Sequence, residues 1–599
     1  MTVRAIVGLV VYNLFLLGVG AGVLWGVRGW RWWTDFVRLA GVAYLLGVAS
    51  LMTLVTLELV LGIPISSLTI FSSGLALTAV GLAVGRLRAH SLPGLRPPGW
   101  RAPGLTLFGA LFVAAIVVYL EALFRADRLS GITREWDSWA FWMPKAQSLY
   151  YSDRLEPDFL AALPQLPSYP PGLAVIQTGA FHALGSADLI SLHVQYWFFA
   201  AGFVAAVIGL LAGRVHQAIL FPLLLVFLVS QSLVERITTV YADVPLGYSV
   251  AIAALLVVLW IQEEKPWQLA AATILLAGAM LTKREGLLFA VCVLLAAFVA
   301  TYTERRRWRP LFIAGVALVA ITVPWRIWFT THGLESDGPD SGYLGAFSHL
   351  DRVWPALRLA ATTLVEGDLW RVAPYVAIAA IALAAIAGAW KVSVYAGSFL
   401  VLALAGGTWV VWAYTALPIT RDEAQNPIVR ITGTTVLVLA ALTPVLLHAA
   451  WSKRRAENPP VRGVAMPIRD AFLWKSPWLW AVVAIGVLSH PGAMLAGYSG
   501  SGLPGGAPRF LAASDCVAEP LSEARVRVVL GYADSFPEAN DLHRRALAAG
   551  LEDAEVAKDG CGRLRVFVDD VQSAAASNAL SDKARAASLE PTLELDPDE

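Results

Sequence analysis

The sequence predicts a polytopic α-helical membrane protein, with about 14 transmembrane helices followed by a small α+β domain, and three observations support that class. Hydrophobic residues make up 57% of the 599 and charged residues only 15%, a balance that soluble domains do not show. Apolar runs of about 18 residues or more, the length that crosses a hydrocarbon core about 30 Å thick, recur from Ala5 to near Leu495. After Gly505 the pattern becomes that of an ordinary globular domain. The formal net charge of +1 carries no basic excess, so no nucleic-acid partner is expected.

Spans are expected near 4–27, 35–61, 64–84, 104–125, 188–213, 218–234, 245–261, 268–282, 286–303, 310–330, 372–390, 393–415, 431–450 and 477–497. The first lacks a small-residue cleavage pattern and is expected to be retained. The linkers "GVRGWRWW", "GRLRAHSLPGLRPPGWR", "GRVHQ", "ERRRWRP" and "WSKRR" then share one side, which the positive-inside rule makes cytoplasmic. The segment "RITTVYADVP", the turn "KREG", the 331–371 loop and the tail fall outside. The run "PGLAVIQTGAFHALG" after Pro171 is too short to span and is expected to be re-entrant or interfacial. Counting it as a span would put Asp243 inside and "ERRRWRP" outside.

In the tail, "RVRVVLG" and "RLRVFVDDV" alternate like half-buried strands, and "SFPEANDLHRRALAAG" is a capped amphipathic helix closed by glycine. With a strand near "AEVAKDG", a second helix and a closing "PTLEL", the order is a split βαβ arrangement. Of the three cysteines, Cys292 fills space in an apolar run. Cys516 and Cys561 lie in the tail, where an oxidising compartment would permit a bond that sequence alone does not establish.

Polar residues that interrupt the apolar pattern mark the candidate chemistry. The segment "TREWDSWAFWMPKAQSLYY", Thr133–Tyr151, sets Glu135, Asp137 and Lys145 beside Trp136, Trp139 and Trp142. An interfacial belt accounts for the tryptophans, which share a helical face, but anchoring belts carry Lys or Arg rather than leading carboxylates. Asp243, in "VYADVP", stands at the outer mouth of a span, where Pro245 suits a first helical turn and Asp243 suits a cap. In "MLTKREGLLFA", Lys283, Arg284 and Glu285 occupy an outer turn. Two cations there run against the positive-inside rule and call for an anion such as phosphate, which Arg binds as a fork and Lys as a point charge. "YPPGLAVIQ" starts at Tyr169, and its paired prolines fix an extended entry into a short helix. "PITRDEAQNPIVRITG" adds Arg421, Asp422, Glu423 and Arg430, for which mutual salt bridges are a sufficient account and donor contact is the functional one. His182, His193, His332 and His349 show no metal-ligand spacing.

In their order, "EWDSWAFWMPKAQSLYY", "YPPGLAVIQTGAFHALG", "YADVPLGYS" and "LTKREGLLFA" resemble the GT-C superfamily of integral-membrane glycosyltransferases. The likeness is to bacterial members related to protein mannosyltransferases and aminoarabinose transferases, and it covers roughly residues 104–303. It implies a GT-C-like core over 104–500, with additional transmembrane helices over 1–103. It also implies Asp137 as general base and Asp243 as the second acidic residue. Glu135, Trp136, Lys145, Tyr169, Lys283, Arg284, Glu285, Arg421 and Arg430 become the substrate-binding candidates. Where many relatives carry an adjacent acidic pair, "EWDSW" has Asp137 alone, with Glu135 two residues earlier not in the paired position, which leaves a divalent cation an open question. The tail, 501–599, resembles SPOR-like domains, ferredoxin-like modules of bacterial envelope proteins that bind peptidoglycan; a domain serving assembly is the other reading.

The resemblance implies transfer of a sugar from a polyprenyl-phosphate donor to an envelope glycan, glycolipid or protein acceptor. The protein would lie in the bacterial inner membrane with its tail extracytoplasmic. Asp137 would take the acceptor's proton, and the cations would stabilise the leaving phosphate. Three rivals stand beside it. A lipid-linked sugar transporter or flippase would place ionisable groups near the midplane and show internal repeats, which this chain lacks. A glycan polymerase or ligase shares lipid-linked substrates. An envelope scaffold needs only one or two anchoring helices.

Overall fold

The computed structural model describes residues 3–91, 93–94, 107–129, 138–163, 168–187, 189–228, 230, 240–334, 343–414, 421–457, 526–533, 535–558, 564–571 and 574–595. The chain forms two compact units, Met1–Pro504 and Gly505–Glu599.

The large unit is helical throughout its described residues. It opens with α1 (Val3–Val27), α2 (Trp33–Val60), α3 (Ser67–Leu87) and α4 (Leu107–Leu129). A π-helical turn, Ser138–Trp142, leads into α5 (Met143–Ser152), followed by α6 (Pro157–Ala162) and α7 (Gly172–Leu184). Next come α8 (Leu189–Leu211), α9 (Gln217–Leu228), α10 (Asp243–Glu263), α11 (Pro266–Thr282) and α12 (Glu285–Ala300). After α13 (Trp308–Thr331) the chain makes α14 (Val353–Leu364), the single turn α15 (Gly367–Trp370), α16 (Ala373–Ile386), α17 (Trp390–Tyr414) and α18 (Arg421–Glu457). Among the described residues, eight helices are long and apolar enough to cross a membrane. The expected span 477–497 lies outside the described residues.

Side-chain exposure identifies the surrounding solvent as a bilayer. On α13, Phe312, Ile313, Val316, Val319, Val323 and Ile327 are all exposed. They recur at helical spacing and form a stripe of a kind that belongs against lipid. The apolar window of α10, by contrast, is 100% buried, so a helix without a polar face occupies the centre of the bundle.

The first three helices belong to the same compact unit as the rest. α1 and α2 approach backbone to backbone, since a Cβ on Gly47 would stand 1.9 Å from the Leu16 carbonyl oxygen, the close contact that small residues permit between membrane helices. A buried amide pair ties them to α8: Asn13 Nδ2 donates to Gln195 Oε1 at 2.9 Å and Gln195 Nε2 returns a bond to Asn13 Oδ1 at 2.9 Å. Tyr44 donates to the same Asn13 oxygen at 2.7 Å. With no water to compete, each group must find such a partner.

The basic linkers meet at one end of the bundle. Arg28 lies over the Trp267 ring, and Arg88 donates to the Val27 carbonyl. Arg214 pairs with Glu263, Glu264 with Arg306 and Arg307, and Glu304 with Lys391. His216 packs edge-on against Trp451. The residues Asp243, Lys283 and Glu285 gather at the other end. α10 joins the two poles, and its 21 residues rise about 30 Å, the thickness of a hydrocarbon core.

The helix α7 was expected to be re-entrant or interfacial. Its 13 residues span about 20 Å, too short to cross. Almost all of its side chains are buried, and Tyr12 of α1 donates to the Ile176 carbonyl at 3.0 Å. It therefore sits among helices rather than on the bilayer surface.

The small unit contains β1 (Val526–Ala533), α19 (Phe536–Ala548), β2 (Ala554–Lys558), β3 (Leu564–Val571), α20 (Ala574–Ala586) and β4 (Thr592–Leu595). Its sheet order is β2-β3-β1-β4, antiparallel at each described pairing. This is the split βαβ topology expected from the element order. Val528 and Leu530 of β1 and Val566 and Val568 of β3 form its core with Ala546 and Ala584 of the two helices. Cys516 and Cys561 lie outside the described residues.

Candidate functional site

The site is built around the break between α11 and α12. Lys283 leaves the helix in an extended conformation, φ −157° and ψ 153°, and Arg284 precedes the first residue of α12, Glu285. This short interruption lets Lys283 face a neighbouring helix start with Glu285 beside it. That start is Asp243, the first residue of α10. Lys283 Nζ lies 2.9 Å from Asp243 Oδ1 and 3.1 Å from Glu285 Oε1. The lysine side chain is 1% exposed, Asp243 3% and Glu285 18%.

A second layer comes from the entry to α7 and from the π-helical turn. Gly172 allows α7 to begin against the end of α11, because a Cβ there would stand 2.5 Å from the Leu281 carbonyl oxygen. This places Tyr169 beside the charges: its hydroxyl donates to Glu285 Oε1 at 3.2 Å. Its ring lies 5.8 Å from Lys283 Nζ and 5.4 Å from the Arg284 guanidinium carbon, within cation–π range. Trp142 stacks on the other side, with ring centroids 5.5 Å apart and planes 14° from parallel. Lys145 Nζ donates to the Tyr169 carbonyl at 3.2 Å.

The interfacial reading of the tryptophans fails for Trp142. It is 1% exposed and belongs to a buried cluster with Ala140, Tyr169, Leu173 and Ala242. The π-helical turn that carries it is a rare form that frequently occurs at functional sites. Ala140 and Ala242 in one cluster bring the segment that follows Asp137 against the residue that precedes Asp243.

Several candidates converge here: Lys145, Tyr169, Asp243, Lys283, Arg284 and Glu285. Arg430 joins the same pole, its guanidinium carbon 5.0 Å from the ring centre of Tyr241, two residues before Asp243. Arg421 begins α18, and its side chain lies outside the described residues, as do Glu135, Trp136 and Asp137. The anionic partner that Lys283 demanded is supplied within the protein by Asp243 and Glu285.

Sequence reasoning did not find the far wall. Ser230, Trp370 and Thr434 line a small cavity with Asp243, and Trp325 Nε1 donates to the Ser168 carbonyl. Ser230 follows the end of α9 in "VSQS" and Thr434 lies in "TGTT" of α18, runs of small hydroxyls equally common in plain helix packing. Among the described residues no group of three or more His, Cys, Asp or Glu side chains is placed to hold a metal ion.

As chemistry, the arrangement is a buried cluster in which Lys283 lies between two carboxylates, with Lys145 and Arg284 beside it, bordered by stacked aromatic rings. Such a cluster suits an anionic, ring-bearing ligand, because the cations are held in place before it arrives and need little reorganisation. No family model, curated protein or solved structure matches the chain.

Proposed function

We propose that the protein is a membrane glycosyltransferase of about 14 spans with a GT-C-like core over 104–500, moving a sugar from a polyprenyl-phosphate donor to an acceptor in the cell envelope. The observation that carries the reading is the buried Asp243–Lys283–Glu285–Tyr169 cluster at the pole opposite the basic loops. The positive-inside rule makes that pole extracytoplasmic. The inner membrane of a bacterium and an extracytoplasmic tail that contacts peptidoglycan belong to the same proposal.

In the reaction, the acceptor oxygen attacks the anomeric carbon while Asp137 accepts its proton. The bond from that carbon to the phosphate oxygen breaks, and its electron pair leaves with the polyprenyl phosphate. Lys283, Arg284 and Arg430 stabilise the charge on the leaving group. Asp243 orients the acceptor, and Trp142 and Tyr169 offer flat faces for a sugar ring. One displacement inverts the anomeric configuration. No step is routed through a metal.

The test is mass spectrometry of envelope glycans from cells carrying the wild type or Asp137→Asn. Loss of one sugar from the glycan, with the variant still inserted at wild-type level, is the expected result. Unchanged glycans in Asp137→Asn would remove Asp137 from the mechanism.

A further inference from the structure

A cavity of about 450 Å³ opens at the basic pole, at the far end of α10 from the candidate site. Its walls are the ends of α8, α10 and α18 and the turn between α16 and α17. Arg214, Lys391, Lys453 and His448 line it, and among the described residues no carboxylate does. Two of the cations are braced from behind: Arg214 Nε lies 2.5 Å from Glu263 Oε1, and Lys391 Nζ 2.5 Å from Glu304 Oε1. Lys453 makes no ion pair among the described residues. His448 Nδ1 is a buried atom with no hydrogen-bond partner among them.

The surroundings leave positive charge uncompensated. Among the described residues, Arg214, Lys265, Arg306, Arg307 and Lys391 share just three carboxylates, Glu263, Glu264 and Glu304. Lys453 adds a further cation. Trp390 and Trp451 are exposed at the same level, the depth of headgroups, where tryptophans collect. An anion seated here is therefore drawn from the headgroup layer or from the adjacent water.

We propose that this cavity binds the phosphate group of a phosphate ester, with Lys391 and Lys453 as point charges and His448 Nδ1 as a hydrogen-bonding partner, and with Arg214, whose fork is held by Glu263 and the Leu210 carbonyl, lending positive charge to the wall. Two sources share that chemistry, an anionic lipid headgroup and a soluble phosphate compound. The site is separate from the one assigned to the sugar donor.

The test uses the full-length protein, delipidated in detergent and titrated with fluorescent phosphatidylglycerol, fluorescent phosphatidylcholine or inorganic phosphate. The variants are Lys453→Gln/His448→Ala and Ser452→Trp, the second placing a bulky ring on the cavity wall. Lys265→Gln, at the same pole but outside the cavity, is the control. Phosphatidylglycerol is expected to bind about tenfold or more tighter than phosphatidylcholine, a preference that falls with ionic strength. Both test variants lose it, and the control keeps it. Binding of inorganic phosphate that competes with phosphatidylglycerol in the wild type and is lost in the variants assigns the site to soluble phosphates as well. Equal binding of both lipids without phosphate binding, or wild-type preference in both test variants, overturns the proposal.

Discussion

Removing Lys283 should harm the large unit more than removing Asp243. Lys283 Nζ serves two carboxylates at once, at 2.9 Å and 3.1 Å. Lys283→Met takes the ammonium from both, and stripping one partner from a buried ion pair costs about 3–5 kcal/mol. Asp243→Asn leaves Lys283 its contact with Glu285, and the new amide oxygen still accepts a hydrogen bond. Its cost is nearer that of one charge-assisted bond, about 1.5–3 kcal/mol. The double variant removes both members of the main pair, so the two losses should fall short of adding, by about 1–3 kcal/mol.

Unfolding in mixed micelles titrated with dodecyl sulfate, followed by tryptophan fluorescence, measures each difference. The chain's 23 tryptophans provide the signal. Two results would refute the reasoning. One is a Lys283→Met variant within about 1 kcal/mol of wild type, which would mean that the lysine is not holding buried carboxylates. The other is strict additivity in the double variant, which would mean that Asp243 and Lys283 do not meet.

Two further substitutions probe the rest of the unit. Gly47→Val puts a side chain where even a Cβ would lie 1.9 Å from the Leu16 carbonyl oxygen; forcing α1 and α2 apart should cost about 1–3 kcal/mol or more in the same unfolding assay. At the basic pole, the hydrogen bond from Lys391, followed by the charges of Arg307 and Arg306, holds the Glu304 carboxyl below its usual range. A carboxyl depressed in the folded state stabilises fully above its unfolded value of about 4.3 and loses that contribution as pH falls through the folded value. The melting temperature of Glu304→Gln should therefore lie below wild type at neutral pH and converge with it in acid; a constant gap across that range would rule out the carboxylate as the cause.

Much of the fold is legible in the sequence because membrane helices write themselves as unbroken apolar runs. Each expected span from 4–27 to 431–450 falls on a helix in its described residues, although among the described residues just eight helices are long and apolar enough to cross a membrane, so the expected number of crossings is met only in part. The brevity of α7 is legible as well, since 13 residues do not cross. What composition hides is its burial: a helix facing lipid and one facing other helices are equally apolar, and only exposure separates α13 from α10. The link from Asn13 to Gln195 is hidden for another reason. The two residues stand 182 positions apart, and each alone reads as an isolated polar residue in a hydrophobic run. The small unit was easier, because alternation in strands and amphipathic spacing in helices mark one face against the other.

The candidate site shows the same division between a need that sequence reveals and a partner that it does not. Two cations on an outer turn call for an anion, and "KREG" announces that need. Nothing local says whether the anion is a ligand or a carboxylate 40 residues away. The answer changes the chemistry. With Lys283 set against Asp243 and Glu285, its charge is compensated before any ligand binds, which is what allows it to be buried. A donor phosphate that takes Lys283 must then displace a carboxylate from it. In the proposed reaction, recognition of the donor and release of Asp243 toward the acceptor are one event, and the ion pair is the resting state of the site.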